Sequence, residues 1–347
     1  MKTTNILSTR QFDDEILAQW RAISPALSIR QQTCRDAAEI SAALTDDVEV
    51  LYTYQVPTDL LVRAPRLRWI QLHSAGADHL LGNPAMESDV LVTTTSGLHA
   101  VRIAEYVFAS IFAFAYRVPR MLHYQRRREW PGGRWDLFAG MELRGQTIGL
   151  VGYGSIGREV GRIAHALGMR VLASKRSPRL AAAEAGYRIP GTGDPQGVLL
   201  SRLYSPDELP EMMAECDFVV VTAPLTPQTQ GLISEAVLRA MKPSAYLVNV
   251  GRGPVVDERA LIRALREGWI AGVGLDVFEE EPLPAGSPLW ELARTSAEGE
   301  GNVIISPHVA GFTLNYDERA VEIFSENLRR YLAAEPLLNL VDKERGY

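Results

Sequence analysis

The sequence predicts an α/β fold divided over two doubly wound domains. Three observations carry this. The chain's 347 residues, 46% hydrophobic and 22% charged, are many for a single domain and ample for packed cores. Short β-rich runs alternate with amphipathic stretches from residue 5 to 95, and a second alternation begins at Thr147. Gly152, Gly154 and Gly157 follow directly on an apolar run and precede a helical one.

In the first series, 48–54, 67–72 and 90–94 read as strands and 13–23 as a helix. The most apolar run, 106–116, is flanked by Glu105 and Arg117 and falls short of the ~20 residues that cross a bilayer. Its Val107, Phe108, Ile111, Phe112 and Phe114 go almost all the way round, as in a helix covered on several sides. A basic Trp- and Gly-rich segment follows at 126–135. The domain crossing is placed near Arg117, giving 1–116 with 313–347 as one domain and 117–312 as the other.

The second series has strand-like runs at 147–151, 170–173, 217–222, 245–250, 272–275 and 303–306. Asp257 is placed to cap a helix over 258–267 that Gly268 ends. A last helix, about 315–332, spaces Val321, Phe324, Leu328 and Leu332 for burial. Residues 186–197 (GYRIPGTGDPQG) are dense in turn formers and read as a surface loop near the adenosine end of a cofactor. No function follows from their composition.

A formal net charge of -6 gives no general attraction to nucleic acid or anionic membrane. Cys34 and Cys216 lie far apart, so neither a disulfide framework nor a zinc site is suggested, and a reducing cytoplasm is expected. The polar first ten residues lack the apolar core of a signal peptide. A small-molecule enzyme fits this balance, with no metal expected.

The Gly152-Tyr153-Gly154-Ser155-Ile156-Gly157 pattern is weak alone but strong between a strand and a helix. There the glycines permit a tight turn, backbone approach to a pyrophosphate and close helix-strand packing, while the helix N-terminus faces the phosphates. Six strand-like runs suit the dinucleotide-binding Rossmann sheet. An NAD site carries an acidic residue about 20 positions on. Here Ser174, Lys175, Arg176 and Ser177 stand instead, which favours NADP over NAD by attraction to a 2′-phosphate. The alternative is that these cations are ordinary solvated charges.

With Asn249-Val250-Gly251-Arg252-Gly253, then Asp276 through Pro282 (DVFEEEP), then Ser306-Pro307-His308-Val309-Ala310-Gly311, the chain resembles the D-isomer-specific 2-hydroxyacid dehydrogenases. The likeness runs from the Ser74-Ala75-Gly76 loop to the final helix. It implies a smaller, flavodoxin-like substrate domain made of both chain ends around a central nucleotide domain, an active site in the cleft, and a homodimer. The implied reaction transfers a hydride between NAD(P)H and a 2-keto acid.

The resemblance makes His308 the acid/base, Glu281 the partner of its other ring nitrogen, and Arg252 the cation that grips the substrate carboxylate. Those residue types suit the chemistry: imidazole exchanges protons near neutral pH, and a guanidinium holds a carboxylate through two parallel bonds. Ser74, Ala75 and Gly76 add backbone donors to the same carboxylate. Cofactor contacts are implied for Gly152, Tyr153, Gly154, Ser155, Ile156, Gly157, Lys175, Arg176, Ser177, Ala223, Pro224, Thr229, Val250, Gly251, Arg252, His308 and Gly311, and for Asp276 at the carboxamide. Singly, His308 reads as a turn histidine, Glu281 as a solvated acid and Arg252 as a surface charge. Their joint order carries the catalytic reading.

Relatives that oxidise formate replace the glutamate with glutamine, so Glu281 argues against formate; phosphite stays open, as does a non-catalytic NAD(H)-sensing corepressor. His79, His123 and His165 read as surface or packing residues, and His73 and His99 as cleft-lining groups rather than metal ligands. Trp130, Trp135 and Trp290 either shape a pocket or, more plainly, pack a dimer, and 126–128 is a solvated basic face. The substrate side chain is encoded in no motif.

Overall fold

The computed structural model describes residues 3–177, 186–294 and 302–346. They fall into two compact units. The first takes the described residues of Met1–Leu98, Ala183–Ile189 and Thr313–Tyr347, and the second those of His99–Ala182 and Pro190–Phe312.

The first unit holds β1 (Thr4–Ser8), β2 (Leu27–Gln31), β3 (Val50–Thr53), β4 (Trp69–Leu72) and β5 (Leu91–Thr93) in the order β2-β1-β3-β4-β5. All four pairings are parallel, which is the flavodoxin-like order. Successive residues of each strand feed opposite faces: Leu7, Leu51 and Ile70 join one core and Ile6, Tyr52 and Trp69 the other. The C-terminal helix Tyr316–Leu332 returns to this unit and buries Val321, Phe324 and Leu328 beside Trp20 and Trp69. Leu332, expected on that buried face, is half-exposed at the helix end.

Among the described residues, the second unit holds a sheet of seven parallel strands, not six: β6 (Thr147–Val151), β7 (Arg170–Ser174), β8 (Arg202–Tyr204), β9 (Phe218–Val221), β10 (Tyr246–Asn249), β11 (Gly272–Leu275) and β12 (Val303–Ile305), in the order β12-β11-β10-β9-β6-β7-β8. The missed strand, β8, is three residues long and sits at the edge, paired with β7. In β9, Phe218 and Val220 enter one core while Val219 and Val221 enter the other, so helices cover both faces.

The boundary is also corrected. The apolar helix runs Ala100–Ala115, and its Ile103, Val107, Phe108, Ile111 and Phe114 pack with Ile148, Val220 and Tyr246 of the second sheet. It therefore belongs to the second unit, and the chain crosses at Leu98 rather than near Arg117. The helix is not covered all round either: Phe112 and Tyr116 leave an exposed stripe. Residues 186–189 of the turn-rich stretch belong to the first unit, where Tyr187 bonds Asn339 and Glu322, and 190–197 to the second. No helix among the described residues is long and apolar enough to cross a membrane.

Candidate active site

In the order β10-β9-β6-β7 the connections reverse between β9 and β6, so the carboxyl ends of these strands form a crevice in which ligands of such sheets bind. Gly152 to Gly157 leave β6 there and open the helix Ser155–Ala166. A β-carbon on Gly157 would lie 2.3 Å from the Gly152 carbonyl oxygen, so only glycine lets the helix start this close to the strand. At Gly154, in contrast, a β-carbon would meet nothing within 4 Å, and this N-cap residue has no side chain with which to cap the helix's first N–H groups. An open cradle of backbone donors at a helix N-terminus fits a pyrophosphate. The neighbouring strand ends close in behind it: Thr222 Oγ1 donates to the Gly152 carbonyl at 3.0 Å, and Thr229 Oγ1 to the Pro224 carbonyl at 2.6 Å.

Arg252 follows β10. Buried Asn249 shapes its turn, its side chain accepting from Gly251 N at 3.1 Å and donating to the Arg252 carbonyl at 3.2 Å. Gly253 then passes against the segment after β11: a β-carbon on it would fall 1.8 Å from the Phe278 carbonyl oxygen. That segment carries Glu281, whose Oε1 accepts from Phe278 N at 3.0 Å. The other oxygen, Oε2, lies 2.7 Å from His308 Nδ1. His308 itself sits beyond β12 with φ 53, in the left-handed region where a non-glycine residue is uncommon.

Asp276 explains how that backbone is held. Buried at the end of β11, its Oδ1 accepts from Ser306 Oγ at 2.6 Å and Val309 N at 2.9 Å, and its Oδ2 from Ala310 N at 2.9 Å. The carboxylate thus fastens the loop on both sides of His308. Behind it, the Tyr106 hydroxyl lies 2.5 Å from Ser306 Oγ, and burial pushes the Tyr106 phenol above its ordinary range. Sequence reasoning assigned Asp276 a carboxamide and gave Tyr106 and Ser306 no part.

Residues 108–310 match the family model described as D-isomer specific 2-hydroxyacid dehydrogenase, NAD binding domain. The chain belongs to this family. Glyoxylate reductase of Aeropyrum pernix is 36% identical over 306 residues, covering 86% of this chain and 83% of that protein. The Aeromonas salmonicida family member superimposes with a TM-score of 0.78 at 29% identity, covering 99% of this chain and 100% of that one. A D-isomer specific 2-hydroxyacid dehydrogenase of Xanthobacter autotrophicus Py2, in complex with NADPH and MES, gives 0.77 at 29% identity over 100% of both chains. This dehydrogenase is accordingly a nicotinamide-dependent oxidoreductase that reduces a keto acid to a hydroxy acid.

Other candidates are dispersed. Lys175 and Arg176 follow β7, Arg176 exposed and Lys175 half-buried; burial and the nearby Arg158 charge lower the Lys175 pKa. Ser74, Ala75 and Gly76 lie in the first unit, where Ser74 Oγ donates to the Gly76 carbonyl at 2.8 Å. The preceding His73 is buried, its Nδ1 2.7 Å from the Tyr52 hydroxyl and its Nε2 3.3 Å from Asp317. His99 Nδ1 lies 3.0 Å from the Gly311 carbonyl oxygen. Trp130 and Trp135 are 86% and 78% exposed, and Trp290 donates to the Pro284 carbonyl.

Proposed function

We propose that His308, Glu281 and Arg252 form the catalytic set and that the enzyme reduces a small 2-keto acid with NADPH to the D-2-hydroxy acid. The 2.7 Å contact between His308 Nδ1 and Glu281 carries this reading. It fixes the ring and leaves Nε2 as the atom that exchanges a proton with substrate. Arg252 holds the substrate carboxylate through two parallel N–H bonds and orients the 2-carbonyl. When bound, the reduced cofactor supplies a hydride to C2. His308 Nε2–H gives its proton to the carbonyl oxygen as the hydride arrives, and Glu281 stabilises the imidazolium beforehand. The backbone at 154–157 holds the pyrophosphate, and Lys175, Arg176 and Ser177 take the 2′-phosphate, a choice supported by their charge and by the NADPH named with the Xanthobacter relative. Asp276 keeps lone pairs for the carboxamide while it fastens the His308 loop.

Glyoxylate is the first substrate to consider, because the Aeropyrum relative is named for it. Exposed Trp130 and Trp135 support a homodimer, and the free thiols of Cys34 and Cys216 suit the cytoplasm. Initial rates of NADPH and NADH oxidation against small, branched and aromatic 2-keto acids test the reading. A preference for NADPH with a small acid is expected, and Arg176→Ala should weaken NADPH binding much more than NADH binding. Failure to turn over any 2-keto acid refutes the substrate class, and equal loss for both cofactors refutes the NADP preference.

A further inference from the structure

The turn-rich stretch that the reaction leaves unused is bonded to the cofactor cradle. Asp194 is 3% exposed, and a carboxylate taken so far from water is costly unless its oxygens are satisfied. Here Oδ2 accepts from the Tyr153 hydroxyl at 2.6 Å and Leu199 N at 3.0 Å, and Oδ1 from Val198 N at 3.0 Å. Tyr153 stands between the first two glycines of the phosphate-binding turn. Arg158, directly after the third, lies with its guanidinium 4.7 Å from the Tyr153 ring centre and donates to the Asp194 carbonyl oxygen. Glu159, also buried, accepts from Gly193 N at 2.6 Å and holds Arg162 through bonds of 2.8 and 2.6 Å. Residues on both sides of the cradle are therefore tied to one loop.

We infer that Asp194 is a positioning residue for the dinucleotide, clamping the Gly152 to Gly157 turn in its phosphate-ready form through Tyr153. The inference rests on reading that turn as the pyrophosphate cradle. A cradle made of backbone N–H groups has no side chain with which to reach its ligand, so its affinity depends on the backbone being in place beforehand. The Asp194–Tyr153 bond supplies that order from outside the turn. Asparagine cannot replace it: with one amide oxygen, it turns an N–H₂ toward one set of the donors that the aspartate accepts. Loss of the clamp weakens binding and leaves the bound complex, once formed, able to react.

The test is a fluorescence titration of the purified full-length protein with NADPH and with NADH, read as Kd, for Asp194→Asn, Tyr153→Phe, the double variant and Gly154→Val. Asp194→Asn and Tyr153→Phe should each raise both Kd values about tenfold to a hundredfold, the loss expected for one buried charge-assisted bond. The double variant should be no worse than Asp194→Asn, because both residues act through the same bond. Asp194→Asn should keep kcat at saturating cofactor and the KM for the keto acid, a split that general destabilisation would not produce. Unchanged Kd in Tyr153→Phe, additive losses in the double variant, or a fall in kcat matching the rise in Kd each overturn the inference. If Asp194→Asn does not fold, Tyr153→Phe decides alone. Gly154→Val, whose β-carbon enters open space, should abolish binding. Normal binding there removes the cradle reading itself, whereas its loss alongside unchanged Asp194→Asn and Tyr153→Phe refutes the clamp alone.

Discussion

Gly253 and Phe278 touch backbone to backbone: a β-carbon on the glycine would lie 1.8 Å from the phenylalanine's carbonyl oxygen. This contact sets the Arg252 turn against the Glu281 turn with no side chain between them. Gly253→Ala must push the two turns apart, and overpacking against backbone has no flexible side chain to absorb it. The cost should be about 1–3 kcal/mol of stability. Activity should fall on the order of 100-fold, as expected when catalytic groups are displaced by about 1 Å. Thermal unfolding and steady-state rates check both; an alanine variant with ordinary activity would show that the two turns need not be locked.

His308→Gln retains a side chain of similar reach but cannot exchange a proton near neutral pH. Reduction should slow by about 10²–10⁴-fold, the contribution of a general acid, while the cofactor Kd measured by fluorescence stays where it was. Near-normal turnover in this variant is incompatible with His308 as the proton donor.

Asp276→Asn tests the fastening of the His308 loop. Asparagine keeps one acceptor oxygen, so Ser306 with Val309 N, or else Ala310 N, must face an N–H₂ group instead. A buried donor without an acceptor costs about 1–3 kcal/mol, and kcat should drop along with the melting temperature. A variant that loses cofactor affinity but keeps both its melting temperature and its kcat would return Asp276 to a purely ligand-binding role.

The sequence was most legible where a pattern has one physical cause. The 3.6-residue spacing of Val321, Phe324 and Leu328 gave a helix with that face buried, and Asp257 does cap its helix, accepting from Ala260 N at 2.9 Å. The strands of the second sheet were visible because they are buried on both faces and read as continuous apolar runs. β8 escaped because an edge strand of three residues, with Arg202 exposed, has neither length nor periodicity to show. Helix Ala100–Ala115 was placed in the wrong unit because apolarity announces burial but not against which sheet. Around the site, motif spacing pointed to His308, Glu281 and Arg252, whereas Tyr106, Ser306 and Asp194 act through contacts 30 or more positions away in sequence. Nothing local in the chain records such pairings.

The buried carboxylate of Asp194 also makes a pH prediction. Burial by itself raises its pKa, but the bond from Tyr153, the N–H groups of Leu199 and Val198 and the charge of Arg158 together hold it below the ordinary value. A folded-state pKa below the unfolded one means stability that is fully present above the unfolded value, near 3.9, and is lost as pH falls through the folded value. Asp194→Asn has no such proton to take up. The melting temperature of the wild type should therefore exceed that of the variant by a constant margin from neutral pH down to about pH 5, and the margin should shrink below about pH 4. Paired thermal melts across that range measure it directly, because the other carboxylates cancel in the difference. A margin that stays constant or widens in acid would mean that Asp194 is not held ionised by the groups around it.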